Sequence, residues 1–204
     1  MSAGLQRTLG AIALGLTLAA PMVWAQQAPV RVRGTIERVD GDTYVVKERN
    51  GTELKLKLAP KVSVAAVVAA SLADIKPGSY VGIAALPLPD GSQKALEVHI
   101  FPEAMRGTGD GHRGWDLQPS STMTNGNVEK ATASSDGQVL TLSYKGGEKK
   151  IVVPSGVPVV SYVPGNASEL KPGARIFIAA ATRQPDGSLM AARVNVGRGI
   201  APPM

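Results

Sequence analysis

The stretch Asp74-Ile-Lys-Pro-Gly-Ser-Tyr-Val-Gly-Ile-Ala occurs twice in this chain, returning as Glu169-Leu-Lys-Pro-Gly-Ala-Arg-Ile-Phe-Ile-Ala. The first copy is followed by Pro89-Asp-Gly-Ser and Ala95-Leu-Glu-Val-His-Ile, the second by Pro185-Asp-Gly-Ser and Ala191-Ala-Arg-Val-Asn-Val. Proline presets φ and glycine admits positive φ, so each Pro-Gly launches a strand and each Asp-Gly turns the chain back. Each copy therefore predicts the closing hairpin of a small β domain, and the chain reads as a tandem duplication. Divided over 204 residues, the duplication gives units of roughly 70 to 80 residues, a size at which one core is marginal and packing between units matters.

Upstream of the first hairpin, Val30, Val32, Gly34 and Ile36 alternate with Arg31, Arg33, Thr35 and Glu37, which predicts a half-buried strand. Thr43 to Arg49 is a second strand, Asn50-Gly51 a hairpin turn, and Leu54, Leu56 and Leu58 between Lys55 and Lys57 a third strand stopped by Pro60. The alanine-rich run Val62 to Ala73 predicts a short helix weakened by its valines. Three strands, a helix and two strands is the element order of an OB-fold barrel. The fold class is thus all-β with at most one short helix, two OB-like five-stranded barrels in tandem. Residues 30–102 form the first barrel, 103–121 a Gly-rich linker, 122–198 the second barrel and 199–204 a tail. In the second unit Pro154, Pro158, Pro164 and Gly165 predict an extended connection where the first has its helix.

Residues 1–25 carry Arg7, an apolar run from Leu9 to Leu18, a break at Pro21 and Val23-Trp24-Ala25, the pattern of a cleaved secretory signal peptide. Export to the periplasm or beyond follows. No later apolar run is long enough to span a bilayer as a helix. The formal charge of +6 favours anionic neighbours, so an envelope protein or an anionic polymer is the expected partner. Cysteine is absent, which removes disulfides, thiolate nucleophiles and cysteine-ligated metals. Aromatics at 4% argue against a stacking surface for single-stranded nucleic acid.

These strings together resemble a family of uncharacterised secreted proteins of Gram-negative bacteria built from small β-barrel repeats. The resemblance rests on Asp74-Ile-Lys-Pro-Gly, Phe101-Pro-Glu-Ala-Met-Arg-Gly-Thr-Gly, His112-Arg, Trp115-Asp-Leu-Gln-Pro and Met123-Thr-Asn, and covers nearly all of the chain after the leader. It implies a fold and no activity. Similar sequences sometimes carry a metal-transporter permease label; this one lacks the spans for it, which leaves at most a soluble accessory to metal uptake.

Few residues here suit catalysis. Of the two histidines, His99 lies in a strand where the second unit has Asn195, and reads as a surface or hydrogen-bonded polar position. Asp110-Gly-His112 with Glu103 or Asp116 lacks a zinc-type spacing, so no metal or other cofactor is assigned. No serine sits in a Gly-x-Ser-x-Gly elbow, and Asp40, Asp90 and Asp186 stand where turns need them. Lys55, Lys57, Lys145, Lys149 and Lys150 read as solvated strand faces. The chain thus reads as a non-enzyme, a periplasmic binding or scaffolding module, or else a structural envelope protein held to anionic surfaces by its charge. Its candidate ligand-binding residues are those of the linker, Arg106, Asp110, His112, Arg113, Trp115 and Asp116. A lone large aromatic on a bare tether has no use. Trp115 is therefore expected to pack between the barrels, with Arg106 and Arg113 available to pair with Asp110 or Asp116.

Overall fold

The computed structural model describes residues 28–202, so the signal-peptide reading of residues 1–25 lies outside the described residues. Strands β1 (Val30–Asp40), β2 (Thr43–Glu48) and β3 (Glu53–Ala70) form a meander, and β4 (Tyr80–Pro87) and β5 (Gln93–Phe101) form the first repeated hairpin. A short β6 (Gly111–Gly114) precedes the second meander, β7 (Thr122–Ser134), β8 (Gly137–Tyr144) and β9 (Gly147–Pro154). Then come β10 (Val159–Pro164) and the second hairpin, β11 (Arg175–Arg183) and β12 (Leu189–Gly197). The all-β, barrel-forming class expected from the sequence is what is found.

The strands close into two five-stranded rings, and each ring takes its hairpin from the other repeat. β1, β2 and β3 are closed by β11 on β1 and β12 on β3, whereas β7, β8 and β9 are closed by β4 on β7 and β5 on β9. The contiguous units 30–102 and 122–198 are therefore not the units of strand pairing.

The physical reason lies in the run expected to be helical. Val62, Val64, Val67 and Val68 are β-branched, and the run is paired on both sides, by β12 at Ser63 to Val67 and by β10 at Ala65 to Ala70. Those ladders hold it extended as the second half of β3, leaving only a 3-10 turn at Leu72–Asp74. At about 3.3 Å per residue, Val62 to Ala70 carries the chain roughly 30 Å. The next hairpin accordingly lands in the far ring. The second repeat does the same with β9 and β10, which together correspond to β3. On the alignment that matches Pro77 to Pro172, Val67 corresponds to Tyr162, and these two residues pair with each other where β3 crosses β10 antiparallel. The crossing is thus a pseudo-two-fold axis.

Each Pro-Gly turn docks on the other repeat. Gly78 and Gly173, both at φ +86°, permit these turns. The Gly78 N–H donates to the Val128 carbonyl on β7 at 2.8 Å, and the Gly173 N–H donates to the Ile36 carbonyl on β1 at 2.8 Å. The Asp-Gly turns are locked alike, Asp90 Oδ1 accepting from Ser92 Oγ and Asp186 Oδ1 from Ser188 Oγ, both at 2.6 Å. One core joins Val32, Ile36, Val46 and Leu56 to Ile176, Ile178, Val194 and Val196, and the other joins Leu140, Leu142 and Ile151 to Val81, Ile83 and Val98. Each core therefore needs both halves of the sequence.

The expected linker is ordered. It turns at Glu103–Met105 and then lays β6 along β7, with His112 opposite Thr124 and Arg113 opposite Met123.

A fragment ending near residue 110 keeps one meander and one hairpin on a strand that points away from its own ring. Sedimentation equilibrium of that fragment is expected to give a dimer in which two copies exchange hairpins. A folded monomer would show that the hairpin can fold back on its own meander.

Candidate functional site

The exchange leaves a cleft between the rings, about 180 Å³ in volume. His99 and Phe101 reach it from β5, Asn125 from β7, Tyr162 from β10, Phe177 from β11 and Asn195 from β12, with Arg113 and Trp115 contributed by the linker. Its position on the pseudo-two-fold axis explains why His99 and Asn195, matched in the repeats, both line it.

Aromatic packing forms the wall. Phe101 stacks on Tyr162 at 5.2 Å between ring centres, and Tyr80 lies against Phe101 at 5.7 Å. Gly82 makes room for this, since a Cβ there would meet Phe101 Cε2 at 2.9 Å and Asn125 Oδ1 at 2.8 Å. Behind the wall runs a buried polar chain. The Tyr162 hydroxyl lies 2.9 Å from His99 Nδ1, and His99 Nε2 lies 3.4 Å from Glu97 Oε1. One proton arrangement satisfies all three groups: the hydroxyl donates to Nδ1 and the Nε2 proton points to the carboxylate. Burial, with the nearby Glu97 charge, pushes the Tyr162 hydroxyl above its ordinary range, so it remains a protonated donor. The hydrogen-bonded reading of His99 fits this geometry, whereas a surface position does not, for His99 is 1% exposed. Its approach to Tyr162 spans 63 positions of sequence and had no local signal.

Other polar atoms in or beside the cleft have no hydrogen-bond partner among the described residues. Asn125 donates through Nδ2 to the Thr108 carbonyl at 2.8 Å, but its Oδ1 is buried without a donor, as are Asn195 Oδ1 and, as a donor without an acceptor, Trp115 Nε1. Unpaired buried groups are uncommon in folded proteins. Three around one cleft mark it out.

The six linker residues fall into separate settings. Trp115 is half-buried between the rings against Phe177 of one and Ala84 and Met123 of the other. Arg31 covers its ring at 4.0 Å, with Arg113 at 5.7 Å and Arg33 at 5.9 Å. Asp116 pairs with Arg33 at 2.6 Å and Arg31 at 3.2 Å, so the ion pairs that tie the linker to the first ring come from β1. Partial burial opposes ionisation of Asp116, but hydrogen bonds and charge from Arg33 and Arg31 outweigh it and hold the carboxyl below the usual range. The pairing expected between Arg106 or Arg113 and Asp110 or Asp116 does not occur. Arg106 instead pairs with Glu103 at 2.7 Å and donates to the Gly78 carbonyl at 3.0 Å, while Arg113 donates to the Gly109 carbonyl at 2.7 Å. Asp110 accepts from the Lys145 backbone N–H at 2.6 Å. Only the Arg113 contact is local; the folded turns bring Gly78 to Arg106 across 28 positions and Lys145 to Asp110 across 35, so these groups are engaged before the expected partners can meet. Only Arg113 and Trp115 of the six line the cleft.

His112 Nδ1 lies 2.8 Å from Thr124 Oγ1, and its ring faces Tyr144. Among the described residues, no three His, Asp or Glu side chains are grouped as metal ligands. A wider hollow of about 440 Å³ over β2 and β3 contains Lys55 and Lys57, but its charges are largely paired, Lys57 with Asp186 at 3.4 Å and Arg38 with Asp40 at 3.1 Å.

Trp115→Ala is expected to cost about 2 kcal/mol in urea denaturation, below the ~3–5 of a fully buried large aromatic. A loss under about 0.5 kcal/mol, the range of ordinary surface changes, would contradict its docking role. Burial, then the charges of Lys149 and Arg113, holds the His112 pKa below its ordinary 6.5. The folded state thus takes up a proton here less readily than the unfolded chain, so this stability is complete above the ordinary value and declines as pH falls below it. Denaturation at about pH 7.5 and about 5.5 should show a loss on acidification that His112→Gln reduces; an unchanged loss would assign it to other groups. No protein-family model, curated protein or solved structure matches the chain, so the reading of its site rests on its own geometry.

Proposed function

We propose that this protein is an exported, non-catalytic binding module that holds a small ligand in the cleft between its two rings. The observation that carries this reading is the set of buried hydrogen-bonding atoms left without partners among the described residues, Asn125 Oδ1, Asn195 Oδ1 and Trp115 Nε1, in residues that line one cavity. A concave, largely apolar site with a few convergent polar groups is the usual form of a small-molecule site. The leader supports export, since its charged start, apolar run and Val23-Trp24-Ala25 end suit a cleaved signal. Support for binding without catalysis comes from the polar chain at the wall. Both His99 nitrogens are engaged, and the one hydroxyl beside them, on Tyr162, is held protonated.

Screening the protein against a chemically diverse fragment set tests this directly, with the indole N–H resonance of Trp115 as the local reporter. Binders should move that resonance and raise stability by about 2.7 kcal/mol at a hundredfold excess over Kd. Binders that leave Trp115 undisturbed, or an absence of binders, would contradict the assignment of the cleft.

A further inference from the structure

The polarity of the cleft changes in order from floor to mouth, and that order specifies a ligand. At the floor Asn125 and Asn195 are 4% and 6% exposed, each with an Oδ1 that accepts nothing from the described residues. The orientation of Asn125 is set by its Nδ2 bond to the Thr108 carbonyl, so the free atom is the acceptor. Glycine at position 82 keeps the space beside that acceptor clear. The floor therefore asks for a hydrogen-bond donor.

Above it the walls are apolar and flat, formed by the stacked Phe101 and Tyr162, with Phe177 and Met123. At the mouth stand Arg113 and Arg193, both exposed, and neither forms an ion pair among the described residues. Arg113 uses one N–H on the Gly109 carbonyl, which leaves further donors on its planar fork. Its surroundings add to the positive potential, since Arg31 and Arg33 share the single carboxylate of Asp116. A cation is repelled here and a carboxylate is matched.

Size narrows the class further. A cleft of about 180 Å³ is smaller than the roughly 300–1,000 Å³ of drug-sized sites, whereas an apolar cavity of about 150 Å³ is known to accept benzene. One six-membered ring fits between the walls, with its polar ends at floor and mouth. We propose that the cleft binds a small aromatic carboxylate bearing an O–H or N–H donor at the end remote from its carboxylate. The donor meets Asn125 and Asn195, the ring lies against Phe101 and Phe177, and the carboxylate meets Arg113 and Arg193. This rests on the cleft being a ligand site, as proposed above.

Isothermal titration with three probes, para-hydroxybenzoate, benzoate and para-hydroxybenzyl alcohol, tests each end separately, with the Trp115 indole resonance confirming the location. Para-hydroxybenzoate should bind most tightly, and loss of either its hydroxyl or its carboxylate should weaken binding about tenfold. Arg113→Gln with Arg193→Gln should weaken para-hydroxybenzoate by at least that factor and leave the alcohol unchanged; both arginines are exposed, so the fold survives. Asn195→Ala should bring para-hydroxybenzoate closer to benzoate. If the alcohol binds as well as the carboxylates, or the arginine changes have no effect, the anionic class is overturned while the cleft stands as a binding site. If no probe moves Trp115 but members of the diverse set do, the ligand class is likewise overturned and the binding reading survives. Silence from every compound overturns both.

Discussion

Everything in this molecule depends on the antiparallel crossing of β3 and β10, where Val67 pairs with Tyr162. Because the chain stays extended through Val62 to Ala70, each meander sends its hairpin into the opposite ring. The same crossing supplies the parallel partners of the hairpins, since β12 follows β3 from Leu56 to Val67 and β5 follows first β9 and then β10. Neither ring is complete without it. Each repeat alone would offer a meander with two unpaired edges, a form that folded proteins avoid. Exchange also merges the stability of the two small cores, because every strand that completes one ring is tethered within the other.

The repeats agree where they build cores and differ where they meet. Val81 and Ile83 match Ile176 and Ile178, and all four are buried in the ring cores. At the junction, by contrast, Gly82 matches Phe177, Phe101 matches Gly197 and Val67 matches Tyr162. Phe101, Tyr162 and Phe177 are thus each matched in the other repeat by a smaller residue. A symmetric junction with six large side chains would overfill the space, and one with six small ones would leave a void, both of which cost stability. The asymmetric set fills the junction partly and leaves a shaped gap, bounded by Gly82, that carries polar atoms on its floor. Residues of the two repeats that no longer match are where a pseudo-symmetric protein can make an asymmetric site.

Much of this architecture was legible in the sequence. Period-two alternation in Val30 to Glu37, the Asn50-Gly51 turn and the paired Pro-Gly and Asp-Gly signals describe strands and hairpins correctly, because those features are local. Which meander each hairpin closes was not legible, since an exchanged ring and a contiguous ring require the same alternation and the same turns. The decision lies in Val62 to Ala70, where alanine favours a helix in isolation and two flanking strands impose a strand in context. The site shows the same division. Trp115 was recognisable as a docking residue by its size, but the neighbouring Asp116 bonds across 83 positions to Arg33. His99 could be read as hydrogen-bonded, yet nothing near it in sequence announced Tyr162 or the cleft.

The exchange of hairpins is open to a direct test by cysteine trapping, which is clean in a chain that has no cysteine of its own. Thr35 on β1 lies opposite Arg175 on β11, and in an antiparallel pair the Cα atoms stand about 4.5–5.5 Å apart, within the range of a disulfide. In a contiguous first barrel, Thr35 would instead lie opposite Tyr80, the residue that matches Arg175 in the first repeat. Oxidation of the double variant Thr35→Cys with Arg175→Cys should give a monomeric cross-linked species, seen as a disulfide-linked peptide by mass spectrometry, while Thr35→Cys with Tyr80→Cys should not. The reverse pattern would return each hairpin to its own meander and remove the crossing on which the cleft depends.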